Sequence, residues 1–190
     1  MKYKDSQIKI KDHFQLIRGK TPPTKNPEYY ENGTIKWMNN GSLTDCHFLT
    51  DLTKPSKLVS EKAFRECKLQ YCHKNSVVIS LVEAAPEKMV WNQTENLVIG
   101  CNVCNLTSGD EKQNATLFFA LRKVIFSNYA GGSIINNLRS SDLVNLKINW
   151  VSDPTRQKIF FTILNSKLAK IKDLHSQIKD LLLLKYFGRK

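Results

Sequence analysis

Acid is scarce in this chain. Its 190 residues carry 17 Asp and Glu against 29 Lys and Arg, a formal charge of +12, which points to nucleic acid or an anionic membrane surface. It lacks any run near the roughly 18 apolar residues of a membrane span. The longest leucine block, Leu181–Leu184, is far too short. The start, Met1-Lys-Tyr-Lys-Asp-Ser-Gln-Ile-Lys-Ile10, has no apolar stretch of the signal-peptide kind, so a soluble cytoplasmic chain without a membrane partner is expected. Five cysteines, an odd number, argue against a disulfide framework. Cys101-Asn-Val-Cys104 is a lone CxxC, with Cys67, Cys72 and His73 as conceivable further ligands, but the Cys67/Cys72 gap is wrong for zinc. Buried strand thiols are the expected role, with zinc as the lesser alternative. There is no Walker loop and no Gly-x-Ser-x-Gly elbow, and the four histidines are scattered. Asp110-Glu-Lys112 reads as the acidic first turn of a helix rather than a nuclease carboxylate pair. No catalytic residue, cofactor or metal is expected.

What the chain does have is concentrated in Gly19–Gly41, a segment of turn formers, aromatics, amides and lysines. Asn32-Gly33 and Asn40-Gly41 are turn signals, and Thr34–Met38 between them alternates like a half-buried strand. Ile35 and Trp37 share one face and Lys36 takes the other. Trp37 is therefore expected to anchor the core. The segment reads as a surface for contacting something anionic.

Farther along, Ser60 is placed to cap a short helix through Ala63–Leu69. Val77-Val78-Ile79-Ser80-Leu81-Val82 predicts a buried strand, with further strands over Lys88–Trp91 and Asn96–Val103. Ser108-Gly-Asp-Glu111 matches a capping box, and the spacing of Leu117, Phe118, Leu121, Val124 and Ile125 predicts a helix over 111–127. Asp153-Pro154 then starts a third helix, which meets neither Gly nor Pro until after Tyr186. Leu164, Leu168, Ile171, Leu174, Ile178, Leu181 and Leu182 recur along it at three-to-four spacing. Such a helix either folds back on its own domain or pairs with another helix; pairing is the preferred reading.

In order along the chain stand Phe14-Gln-Leu-Ile-Arg-Gly-Lys-Thr-Pro22, Glu28-Tyr-Tyr-Glu-Asn-Gly-Thr-Ile-Lys-Trp-Met38 and Ser56-Lys-Leu-Val-Ser-Glu-Lys-Ala63. Ser76-Val-Val-Ile-Ser80, Gly131-Gly-Ser-Ile-Ile-Asn-Asn-Leu-Arg-Ser-Ser-Asp-Leu143, Leu146-Lys-Ile148 and Gln157-Lys-Ile159 follow. No one piece is specific, but their order over some 170 residues resembles the DNA specificity (S) subunits of type I restriction–modification systems. The resemblance implies an α+β chain: a β-rich target-recognition domain with packed helices over 1–152, then a long spacer helix over 153–190 pairing as an antiparallel coiled coil. It implies no catalysis, double-stranded DNA as ligand, methyltransferase (M) and restriction (R) subunits as partners, and one half of a bipartite site as target. Full-length members carry two such units, whereas this sequence has room for one. A natural half-subunit forming a homodimer through the helix, a truncated product and a fragment are all open. So is a stand-alone DNA-binding or interaction protein that substitutes in, or interferes with, another such assembly.

Phosphate contacts supply affinity and amide or bidentate contacts to base edges supply discrimination. On that division Lys20, Thr21, Lys25 and Lys36 are candidates for the DNA backbone, with Tyr29 for packing or stacking. Asn39 and Asn40 are candidates for adenine-type edges, Asn92 and Gln93 form a second amide pair, and Gly132 and Ser133 offer backbone amides. Asn26-Pro-Glu-Tyr29 is similar to the Asn-Pro-Pro-Tyr that holds a flipped adenine in methyltransferases. Glu28 replaces the second proline, and no glycine-rich cofactor turn precedes it, so methyl transfer is assigned to a partner.

Overall fold

The computed structural model describes residues 6–43, 48–51, 53–82, 88–124 and 137–187, with side chains through residue 179. Its centre is β6 (Ser76–Ser80), buried at every position. The continuous Ser-Val-Val-Ile-Ser run is explained by what covers its two faces. β6 lies inside a five-stranded sheet ordered β2 (Gln15–Arg18), β9 (Val103–Thr107), β6, β7 (Met89–Asn92), β4 (Phe48–Leu49). On one face Val77, Ile79, Trp91 and Leu106 meet Leu117, Phe118 and Leu121 of α2 (Glu111–Leu121). On the other, Val78, Val90 and Val103 meet Met38, Leu97 and Ile99 of a three-stranded sheet. A strand buried on both faces reads as an apolar run rather than an alternation.

The three-stranded sheet is ordered β5 (Lys57–Val59), β3 (Ile35–Met38), β8 (Leu97–Ile99). It is covered in turn by α1 (Glu61–Glu66), through a core of Tyr29, Ile35, Trp37, Val59, Ala63, Leu69 and Val98. The Gly19–Gly41 segment thus supplies a central strand rather than a local hairpin: β3 pairs antiparallel with β5 and parallel with β8. Asn32, in its left-handed conformation (φ 51°), makes the turn that leads into it.

Ser60 caps α1 as expected, its Oγ accepting from the Ala63 amide at 3.2 Å. For α2 the expected capping box is corrected. Asp110, not Ser108, is the cap, accepting from the amides of Lys112 (2.8 Å) and Gln113 (3.0 Å). Glu111 instead contacts the side-chain amide of Asn75. α2 ends at Leu121, short of the expected 127.

Both ends of the domain meet in a two-stranded antiparallel sheet, where β1 (Ser6–Lys9) pairs with β10 (Lys147–Trp150). β10 follows α3 (Ser140–Asn145). α4 (Pro154–Phe187) then runs for 34 residues, about 50 Å at helical rise. Asp153 Oδ1 caps it through the Thr155 amide (2.9 Å). Its first turns do not leave the domain. Gln157, Leu164 and Leu168 are buried, and both leucines belong to the same core as Trp91 and α2, so the core passes the expected boundary at 152/153. This corrects the reading of one continuous pairing stripe from Leu164 to Leu181. Leu164 and Leu168 are occupied within the chain, whereas Ile171, Leu174 and Ile178 are 40%, 46% and 56% exposed. The Leu181 side chain lies outside the described residues. Ile159 and Ile163, absent from the expected stripe, are 52% and 40% exposed. Among the described residues no helix is long and apolar enough to cross a membrane.

The cysteines divide by position. Cys101 is exposed in a turn while Cys72 and Cys104 are buried. Burial pushes the Cys104 thiol up to about 12, and the Cys72 thiol is raised by the same cause. No group of three or more His, Cys, Asp or Glu among the described residues could hold a metal. The thiolate is the reactive form. Cys101 is therefore expected to react with a maleimide in the native protein, with Cys72 and Cys104 reacting only after denaturation; peptide mapping of the adducts checks this.

Candidate nucleic-acid interface

The strands of the two larger sheets bring several loops together at one end. β2 finishes at Arg18, β3 at Met38, β6 at Ser80 and β8 at Ile99, and β9 starts at Val103. Backbone bonds tie these ends to one another: Gly19 N–H to Val103 O (3.0 Å), Lys20 N–H to Ile99 O (2.8 Å) and Gly100 N–H to Met38 O (2.8 Å). The approach is close enough that a Cβ on Gly19 would lie 1.9 Å from the Gly100 carbonyl oxygen. A Cβ on Gly100 would lie 2.9 Å from the Trp37 ring. Trp37 is the anchor beneath this end, 6% exposed, with Nε1 donating to Lys20 O at 3.2 Å.

Above the anchor lies a rim of hydroxyls and amides. Thr21 Oγ1 accepts from the Cys101 amide (3.2 Å). Asn39 Oδ1 accepts from the Ser42 amide (3.2 Å) and from Ser56 Oγ (3.0 Å), and Ser56 Oγ accepts from the Asn39 amide (3.0 Å). Asn40 Oδ1 is bonded to Ser80 Oγ, whose neighbour across the strand end is Val82. Asn39 is exposed and Asn40 half-buried. Arg18 and Lys54 are exposed on the adjoining backbone. Neither they nor Ser56 carried a sequence signal as site residues, because only the tertiary pairing brings residues 18, 39, 56 and 101 to one edge.

The expected site residues do not all gather here. Thr21, Asn39 and Asn40 lie on the rim. Lys25 is exposed on the same 20–26 segment, and Lys36 is half-buried on the face it shares with Met38. Lys20 starts at the rim, but its Nζ donates to the carbonyls of Lys68 (3.0 Å) and Cys67 (3.4 Å) at the end of α1. That is a helix-end contact of the kind that satisfies orphan carbonyls. Tyr29 is buried and its hydroxyl donates to Glu66 Oε2 (2.8 Å), so it packs rather than stacks on a base. That bond, in which the carboxylate faces the phenol, pushes the Tyr29 hydroxyl above its ordinary range.

Asn92 and Gln93 sit at the opposite end of the central sheet. Ser76 pairs with Asn92, while Ser80, four residues along β6, touches Asn40. The separation along the strand is about 13 Å. Asn92 is fully buried, with Nδ2 donating to His73 O (2.8 Å) and Thr94 O (3.2 Å) and Oδ1 accepting from the Thr94 amide (3.0 Å). It is a structural asparagine with no polar atom left for a base. Gln93 donates to Asn75 Oδ1 beside the Lys74–Glu95 ion pair (2.9 Å). Gly132 and Ser133 lie outside the described residues.

With this geometry in place, the comparisons with known proteins are specific. Residues 4–184 match the family model of the type I restriction modification DNA specificity domain. The specificity subunit of type I restriction enzyme MjaIX from Methanocaldococcus jannaschii is 28% identical over 155 residues, covering 80% of this chain and 35% of that protein. The chain therefore spans about a third of that relative's length. In fold it is similar to the type I S subunit of M. genitalium, with a TM-score of 0.62 and 19% identity over 93% of this chain and 42% of that one. It is also similar to the HsdS subunit of Thermoanaerobacter tengcongensis, with a TM-score of 0.56 and 18% identity over 91% and 39%. The chain belongs to the type I restriction modification DNA specificity domain family.

Proposed function

We propose that this chain is one reading unit of a type I specificity subunit. Its domain binds one half of a split site in double-stranded DNA, and α4 sets the distance to a second unit. The unit itself does no chemistry; methyltransferase subunits, joined by a restriction subunit for cleavage, act where it directs them on cytoplasmic DNA. The observation that carries the reading is a specificity-domain match over residues 4–184, running without a break into a helix whose second apolar face has no partner among the described residues. The rim of Thr21, Asn39 and Asn40, with Arg18, Lys25 and Lys54 exposed on the chain that adjoins it, supports the DNA contact, since it combines amides with nearby cations. Lys36 remains a candidate for phosphate at its margin.

The second unit is proposed to be another copy of this chain, its α4 antiparallel to the first. Co-expression with the methyltransferase subunit encoded beside it, followed by genome-wide mapping of methylated positions, is expected to give a split motif whose two halves are inverted repeats. A continuous motif, or no sequence-dependent methylation, would sink the proposal. In the same assay Lys25→Ala is expected to lower methylation of all sites together, because phosphate contacts carry no sequence information.

A further inference from the structure

We infer that Asn39 reads its base as a hydrogen-bond donor only. The inference rests on the DNA-binding reading above and concerns the chemistry of one contact within it. A free asparagine amide can recognise adenine in two-pronged fashion, donating from Nδ2 to N7 while Oδ1 accepts from the N6 amino group. Here the oxygen is committed. The Ser42 backbone N–H (3.2 Å) and Ser56 Oγ (3.0 Å) both bond to Asn39 Oδ1, and Ser42 Oγ stands at 3.2 Å from it. A carbonyl oxygen has two lone pairs, so nothing is left to accept from a base.

The orientation of this amide is fixed by chemistry. A backbone N–H can only donate, so the atom facing Ser42 N must be the oxygen; the reverse orientation would set two donors against each other. Asn40 differs. Among the described residues its one such neighbour is Ser80 Oγ, a hydroxyl that could give its proton to Asn40 or to Val82 O (2.7 Å), so either end of that amide can face it. Asn39 alone is pre-set. Its Nδ2 has no partner among the described residues, on an exposed side chain at the rim.

A donor-only group selects base edges that accept: guanine O6 or N7, adenine N7 or thymine O4 in the major groove. It excludes cytosine, whose major-groove edge offers only the N4 donor. The half-site should therefore contain a position at which cytosine is rejected on the strand that Asn39 faces.

Asn39→Asp tests this without dismantling the loop, because a carboxylate oxygen accepts from Ser42 and Ser56 as the amide oxygen does. The second oxygen then replaces a donor with an acceptor. The full chain, co-purified with its methyltransferase subunit, is to be selected on a duplex library randomised across the half-site. Expected is a change of preference at one position, with cytosine gaining about tenfold or more relative to the wild-type base, at an unchanged melting temperature. If the wild-type complex shows a defined motif and Asn39→Asp selects the same motif with affinity lowered evenly, the donor-only assignment is overturned while the DNA-reading proposal stands. If the wild-type complex selects no motif at all, both fall.

Discussion

Replacing Gly19 by alanine is expected to lower stability by about 3 kcal/mol and the melting temperature by about 10 °C. The new methyl group would sit 1.9 Å from the Gly100 carbonyl oxygen and 2.6 Å from that of Ile99. Both obstacles are backbone, so no side chain can swing aside. Relief requires the end of β2 to separate from the end of β8. That movement would stretch the Lys20 N–H bond to Ile99 O and the Gly19 N–H bond to Val103 O, and draw the Lys20 carbonyl from Trp37 Nε1. DNA affinity is expected to fall with stability, since these contacts hold Thr21 and Asn39 on the rim. Gly41 is the control: among the described residues a Cβ there meets nothing nearer than Asn39 Oδ1 at 3.4 Å, and Gly41→Ala should stay within about 0.5 kcal/mol of wild type. Urea titration of the three proteins decides it. A Gly19→Ala midpoint equal to that of Gly41→Ala would show that the two sheet ends are not held this closely.

The same residues show what could be read in the sequence and what could not. Trp37 opposite Lys36, the Ser60 cap, the Val77-Val78-Ile79 strand and the Asp153-Pro154 helix start are local patterns, and all four are present in the structure. Each depends on side-chain alternation, on a continuous apolar run or on a cap within three residues, so the sequence holds the needed information in one place. The β1–β10 pairing joins Ile8 to Ile148, and the parallel β3–β8 pairing joins Trp37 to Val98. Neither leaves a local signal. The rim is made by such pairings, which is why nothing local in the sequence marks Ser56 and Arg18 as its neighbours. Asn92 illustrates the converse. An amide after a tryptophan reads as a surface donor, but His73 O and the Thr94 backbone consume it inside the sheet. Whether an asparagine is a reader or a brace is decided by tertiary neighbours alone.

The helix α4 contains the same ambiguity, resolved by rotation. At about 100° per residue, Ile159, Ile163, Leu174 and Ile178 fall in one arc centred roughly 110° away from the Leu164–Leu168 stripe that α2 covers. Their exposures, 52%, 40%, 46% and 56%, leave a second apolar face with no partner among the described residues. This face is self-complementary: in an antiparallel pair, Ile159 opposite Ile178 and Ile163 opposite Leu174 share one two-fold axis, between Leu168 and Ala169. One patch meeting itself is what a two-fold interface requires. The register would set the starts of the two helices about 40 Å apart, against roughly 34–36 Å for one turn of DNA. If the proposed homodimer forms through this face, Ile163→Glu combined with Leu174→Glu is expected to weaken it about 1,000-fold, from lost burial of four side chains per dimer, while leaving a folded monomer. Leu164→Glu should instead unfold the domain, because that residue is 2% exposed in its own core. The axis also brings Lys167 of one helix against Lys170 of the other, and screening of that repulsion should tighten the dimer as salt is raised. DNA binding should move the opposite way, since phosphate contacts weaken with salt. Sedimentation equilibrium across a salt series measures both the sign and the loss. A double-glutamate variant that remains dimeric, or a wild-type dimer loosened by salt, would place the interface elsewhere on the helix.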